Sequence, residues 1–176
     1  MSSDSSISNS NNNNLALVFG TLLVRLWLGM RAMQTGIEKY AGSKTAESLV
    51  TVDGAANEYG LTAAGATKQY GMDFYSGVPQ ALMSKFQTEP LMLKWALPLY
   101  DKILGPVLIL LGITILLGIA NRISLFLLGL LYISLTWGLI LIKQDEGVSW
   151  LGIHMILVVM GLALAEHNRF AILKKW

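Results

Sequence analysis

Three stretches of this chain contain no Asp, Glu, Lys or Arg: residues 103–121, 123–142 and 147–165. Each holds 19 or 20 residues, and at about 1.5 Å per helical residue each reaches across a hydrocarbon core roughly 30 Å thick. Charged residues make up 14% of the chain, against about a quarter in an ordinary soluble domain. Mean hydropathy is +0.53. The chain reads as an integral membrane protein whose first partner is the lipid bilayer.

Composition excludes several function classes. With no cysteine there is no disulfide framework, thiolate nucleophile, iron–sulfur ligation or CxxCH haem attachment. A net charge of +2, on scattered basic residues, does not make a surface that neutralises a row of phosphates, so no nucleic-acid partner is expected. Residues 1–14, MSSDSSISNSNNNN, bury too little apolar surface to offset chain entropy and read as a disordered polar tail. No basic n-region or cleavage site flanks the apolar run that follows, so that run is expected to persist in the mature protein.

The first span, about residues 15–39, differs from the others because Arg25 and Arg31 interrupt it. Arg25, Gly29, Ala32, Gly36 and Lys39 follow helical spacing and share one stripe. Small residues there let a second helix approach closely, with Arg25 pointing away from lipid. Further spans are expected at about 95–120, 123–142 and 150–166. Pro106 removes a backbone hydrogen bond inside the second, tolerable if a neighbour resatisfies the freed carbonyl. Loop 40–93 is the only long hydrophilic segment, and its YGMDFYSGVPQALMSKF stretch predicts an aromatic turn and a short amphipathic helix from Pro79. The predicted architecture is all-α: an integral membrane four-helix bundle, residues 15–176, with a partly structured extracytoplasmic insertion after the first helix.

Orientation follows the basic residues near the membrane ends. The Arg122 turn and a tail carrying Arg169, Lys174 and Lys175 share a side with the N-terminus, while the opposite short loop, KQDEG, has one lysine and two acids. Both termini are placed in the cytoplasm, across the inner membrane. Trp95, Trp150 and Trp176 near the predicted ends fit an interfacial belt.

Few residues can carry chemistry. Arg25 lies near mid-membrane, where a charge costs at least about 2.5 kcal/mol, which marks either a functional group or an arginine tying helices together through carbonyls. Arg31 and Glu38 read as a candidate interfacial ion pair. Asp101 joins Glu38, Lys39 and Arg31 as a charged cluster at the outer mouth, suited to an anion or to proton handling beside a quinone. His154, one turn into the fourth span, is a candidate proton carrier or a helix-to-helix hydrogen-bonding residue. His154 and His167 are too far apart for a metal site.

Those residues carry a family resemblance. LLVRLWLGMRAMQTGIEKY, with Arg25, Gly29, Gly36 and Lys39, resembles the first helix of the DoxX-like membrane proteins. GVPQALMSKF, LPLYDKILGPVLILLG and GIANRIS resemble that family's proline loop, its acidic residue before a glycine and its basic turn. Asp101 stands where a glutamate is more usual, before Gly105, and Arg122 fills the turn. The fourth helix ends AEHNRFAIL, without the family's Gly-Arg-x-Ser-x-Asp-like ending. The long first loop is similar to the DoxD branch, the small membrane subunit of thiosulfate:quinone oxidoreductase.

The resemblance, over roughly residues 20–170, implies a membrane oxidoreductase subunit. It would oxidise thiosulfate or a similar sulfur anion with quinone as co-substrate, beside a second subunit or in a homo-oligomer. Arg25 and Asp101 would be catalytic, and Arg31, Glu38, Lys39 and His154 would bind substrate. No redox centre is encoded in the chain itself. The rival reading is a non-enzymatic subunit that anchors or scaffolds an envelope complex.

Overall fold

The computed structural model describes residues 3–52, 55–56, 59–170 and 172. Lys174, Lys175 and Trp176, used above for orientation and the aromatic belt, lie outside the described residues, as do Met1 and Ser2 of the polar tail. The molecule is mostly helical, with five α-helices: α1 (Ser3–Glu38), α2 (Gln80–Thr88), α3 (Leu97–Leu117), α4 (Asn121–Leu141) and α5 (Asp145–Ala163). Four stretches are long and apolar enough to cross a membrane: Asn14–Glu38 within α1, and all of α3, α4 and α5. Leu110, Phe126, Ile133, Ile156 and many other large apolar side chains point outward. Among the exposed faces of a water-soluble domain this would be an anomaly, whereas in lipid it is the ordinary arrangement. The chain is a multi-pass membrane protein.

Two elements depart from expectation. The backbone of α1 is helical from Ser3, through the Ser/Asn tract expected to be disordered. Adding a residue to an existing helix avoids the unfavourable nucleation step, so weak formers can follow a strong apolar helix. An all-α fold is also not what forms. The hydrophilic segment carries four strands, β1 (Ala41–Leu49), β2 (Thr51–Val52), β3 (Ala55–Ala56) and β4 (Thr62–Tyr70). β1 pairs antiparallel with β4 from Ala41↔Tyr70 to Leu49↔Thr62, and β2 pairs with β3 beyond them. This two-stranded ribbon starts two residues after α1 and is anchored at its base, where Gly71 N–H donates to Tyr40 O at 3.0 Å.

Glycines bring α1 and α3 into close backbone contact along their seam. The helices run antiparallel, and each offers glycines seven residues apart. A Cβ at Gly36 would sit 2.9 Å from Ile109 N and 3.0 Å from Gly105 O. One at Gly112 would sit 2.6 Å from Met33 N and 2.9 Å from Gly29 O. The predicted stripe of α1 therefore does face a neighbour, with Arg25 and Ala32 buried in it. α4 packs on α3 and α5, and α5 returns to α1. Gly118 at φ 69° closes α3, and the turn reaches Asn121 through Ala120 at φ 45°. Leu28, Leu108, Ile115, Leu125, Leu128 and Val158 fill the common interior.

Candidate functional site

At the end of the molecule where α1 stops and α3 starts, the segment 71–79 folds onto α3. Gly77 is pressed against the Asp101 backbone carbonyl so closely that no other residue fits there. Val78 N–H donates to Asp101 Oδ1 at 2.6 Å. The Tyr75 hydroxyl donates toward the carbonyls of Asp101, 2.6 Å away, and Lys102, 2.9 Å away, while Gly105 N–H donates to its oxygen at 3.2 Å. Lys102 O is the carbonyl that loses its usual i+4 donor because residue 106 is proline. A side chain from the segment before α2 thus restores the bond that Pro106 removes. The same ring packs at a tilt of 46° against Tyr40, with centroids 4.8 Å apart.

Pro79 then starts α2, as the sequence predicts, and α2 lies over the gap between α3 and α4. Beneath it is a cavity of about 450 Å³, within the range of small-molecule sites. Val78, Leu82 and Phe86 roof it, Leu97 and Leu104 line the α3 side, and Leu135 and Leu139 the α4 side. Leu130, Ile133 and Trp137 form its outer rim and are also exposed on the apolar flank, so the cavity opens sideways toward lipid. Its polar groups are few. The Tyr100 and Ser134 hydroxyls bond each other across it at 2.9 Å. Lys39, half-buried, lines one end. Burial holds the Lys39 ammonium below the usual lysine range, and the nearby Asp101 charge only partly opposes that.

Among the expected site residues, only Lys39 and Asp101 come together here. Glu38 turns outward to the ribbon, where Lys68 Nζ lies 2.7 Å from its Oε2 and the Tyr70 hydroxyl donates to its Oε1 at 3.1 Å. The hydrogen bond to Glu38 raises the Lys68 ammonium above its ordinary value. Arg31 therefore does not pair with Glu38: it is exposed and donates to Gln34 Oε1 at 3.1 Å. A charged partner contributed by the ribbon outcompetes one seven residues away on the same helix.

Arg25 is at the opposite end. It is 5% exposed, and its guanidinium donates to Asn168 Oδ1 at 2.7 Å, Phe170 O at 3.1 Å and Leu116 O at 3.4 Å. Leu116 and Asp101 are fifteen residues apart on α3, about 22 Å along the helix axis. Arg25 and Asp101 are not two halves of one catalytic centre. Counting along the first span places Arg25 near mid-membrane, but its depth is set by the end of α3 beside it.

His154 is also deeper than expected. α5 begins at Asp145, because Asp145 and Glu146 suit the positive end of a helix as well as they suit a loop. His154 is then the tenth of its nineteen residues, 8% exposed, packed edge-on to Tyr132 at 5.8 Å and bonded through Nδ1 to Trp150 O at 2.8 Å. It sits mid-helix, away from the α5 start. Among the described residues no group of three or more His, Asp or Glu is placed to hold a metal ion. The reading of the sequence missed Tyr100, Ser134 and Tyr75. Tyr100 and Ser134 share no pattern along the chain, whereas Tyr75 could have been sought as the donor that Pro106 requires. No family model, curated protein or solved structure matches the chain.

Proposed function

We propose that the chain is a DoxX/DoxD-type membrane subunit, a four-helix bundle with an extracytoplasmic insertion, that reduces a membrane quinone with electrons from thiosulfate or a similar sulfur anion. The observation that carries this reading is the cavity: apolar, open to the hydrocarbon, and furnished with a cation at one end and two hydroxyls bonded across it. A quinone ring with an isoprenoid tail matches that distribution. The tail leaves between α3 and α4, and the ring carbonyls meet the Lys39 ammonium and the Tyr100 and Ser134 hydroxyls.

Quinone reduction consumes two electrons and two protons, and coupling of two thiosulfate anions through a new S–S bond releases two electrons. Lys39 stabilises negative charge developing on a quinone oxygen. With its proton affinity lowered by burial, it also gives up a proton more readily than an ordinary lysine. Asp101 fixes the roof segment through Val78 and supplies the counter-charge to Lys39. The electrons arrive by direct contact of the anion with the bound quinone or through a partner subunit, which the exposed ribbon is placed to receive. Both termini are cytoplasmic in this account, and the cavity lies in the outer half of the inner membrane.

The test is thiosulfate-dependent quinone reduction in membranes carrying the protein. Gly138 lines the cavity, and a Cβ there has ordinary 3.4 Å and 3.5 Å contacts with Met92 and Phe86, so Gly138→Leu fills the site from within. Activity abolished in Gly138→Leu and lowered in Lys39→Met is expected. No activity in any context refutes the reaction, and full activity in Gly138→Leu removes the cavity from it.

The scaffold reading has one observation in its favour. Among the described residues β1 and β4 pair only with each other and nearly every side chain of β4 is exposed, so the ribbon is open to strand addition by another chain. Deleting residues 44–67 and losing a co-purifying subunit, with quinone binding intact, would favour that reading.

A further inference from the structure

Among the described residues, the end opposite the cavity holds a cation without an anion. Arg25 is 95% buried by its 5% exposure, and its three acceptors, Asn168 Oδ1, Phe170 O and Leu116 O, are all uncharged. The ion pairs among the described residues are Glu38–Lys68 and Arg122–Glu166. Glu166 shares this end with Arg25, but it is largely exposed and turned to Arg122 at 3.9 Å. Backbone dipoles do not close the balance. α3 ends beside Arg25 with roughly half a negative charge, and α4 starts at Asn121 with roughly half a positive one, so the two offset each other. A full positive charge is left in a poorly solvated place, where charges are ordinarily paired.

A second observation points the same way. Six buried side-chain polar atoms have no hydrogen-bond partner among the described residues, and five of them are at this end: Arg25 Nε, Asn168 Nδ2, His167 Nδ1 and both amide atoms of Asn121. Asn121 is 4% exposed. It opens a helix whose preceding residue, Ala120, offers no side-chain cap, so first-turn N–H groups of α4 have no side-chain partner there. Arg25 Nε, Asn168 Nδ2 and Asn121 Nδ2 are all donors, and the group that answers several donors and a cation together is an oxyanion.

We infer that Arg25, Asn121 and Asn168 form a binding site for a phosphate-type oxyanion at the α3–α4 turn. Arg25 Nε and the two amides donate to it, and the segment Asn168–Phe170 closes over it. The phosphate is either that of an anionic lipid headgroup or free in solution, since both present the same oxygens. The site is independent of the quinone cavity, about 22 Å away along α3, and either can fail without the other.

The test uses the purified full-length protein, delipidated in a neutral detergent, with two probes. In the first, thermal unfolding is followed against sodium phosphate at fixed ionic strength, with chloride as the control. In the second, the protein is reconstituted into phosphatidylcholine nanodiscs with or without phosphatidylglycerol, and retained lipid is read by native mass spectrometry. A saturable rise in unfolding temperature with phosphate, weakened about 10-fold or more by Arg25→Gln and by Asn121→Ala, assigns the site to free phosphate. Retention of phosphatidylglycerol by the wild type and its loss from both variants assigns it to lipid. If Arg25→Gln does not fold, Arg25→Lys and Asn121→Ala decide. Arg25→Lys keeps the charge but loses the fork of donors and falls between the wild type and Asn121→Ala. Wild type and Asn121→Ala behaving alike toward both probes would overturn the inference.

Discussion

Replacing Gly112 by alanine puts one methyl group into the α1–α3 seam, where it would lie 2.6 Å from Met33 N and 2.9 Å from Gly29 O. Ordinary van der Waals contact begins near 3.4 Å, so α1 must recede by about 0.8 Å, the difference between 3.4 and 2.6. Both obstructing atoms belong to backbone, so no side-chain rotation relieves them. A radial gap of that size forfeits about a quarter to a half of the dispersion energy along the seam, and overpacked interiors lose about 1–3 kcal/mol. Alanine also raises helix propensity by roughly 0.5–1 kcal/mol over glycine, which would mask part of the loss. Gly152 in α5 supplies the control, because a Cβ there meets nothing within 4 Å. The propensity gain is common to both variants, so their difference isolates the steric cost, about 1–3 kcal/mol. Equilibrium unfolding in a mixed-detergent titration, followed by tryptophan fluorescence and circular dichroism, measures it. Gly29→Ala should cost less than Gly112→Ala, since its nearest obstruction at 2.7 Å is the movable Leu116 side chain. Equal midpoints for Gly112→Ala and Gly152→Ala would refute the close-packed seam.

Tyr75→Phe leaves Lys102 O and Gly105 N–H without the hydroxyl and is expected to destabilise by about 1–3 kcal/mol; in a Pro106→Ala background, where residue 106 regains its own N–H, the penalty should shrink, and an unchanged penalty in that double-mutant cycle would contradict the proposed role. Burial lowers the Lys39 ammonium in the folded state, so the unfolded chain binds that proton more tightly. Stability should rise as pH climbs from the folded value to the ordinary lysine value near 10.4, and Lys39→Met should flatten the rise in unfolding midpoint. The sign is opposite for Lys68, raised by its bond to Glu38. That contribution is present below the ordinary lysine value and is lost as pH climbs through the raised one. Because the pair is exposed, salt should weaken it as well, and amide shifts of β1 and β4 against pH and salt, with Lys68→Met as control, would reveal both effects.

The α1 stripe was legible because small residues at helical spacing in an apolar run have few other uses. Its partner was not: α3 is apolar all round, so Gly105 and Gly112 look like any glycines in a lipid-facing helix until Gly29 and Gly36 are set against them. The ribbon was illegible for a different reason. Strands are recognised by one buried face, and β4 has almost none, so TAAGATKQY carries no alternation to detect. The charged outer cluster was half legible, because Lys39 and Asp101 lie at matching depths on adjacent helices. Glu38 was misassigned because its partner Lys68 is thirty residues away, across a ribbon that the sequence pattern does not announce. Arg25 and His154 were placed by counting along their own spans, while their depths are fixed by where neighbouring helices begin and end.

The hydroxyl of Tyr75 has a consequence for how the protein is made. During synthesis α3 enters the bilayer with Pro106 already in its sequence and the Lys102 carbonyl unbonded, a state that costs several kcal/mol wherever water is excluded. Tyr75 precedes α3 in the chain but lies in the segment that must fold back through Gly71–Pro79 and dock on Asp101 beside Gly77. Insertion of α3 and completion of its hydrogen bonding are therefore separate events, and the second waits on a domain outside the lipid. A quality-control protease that recognises unsatisfied membrane helices would see this chain as unfinished until its hydrophilic segment has closed, even with every span in place.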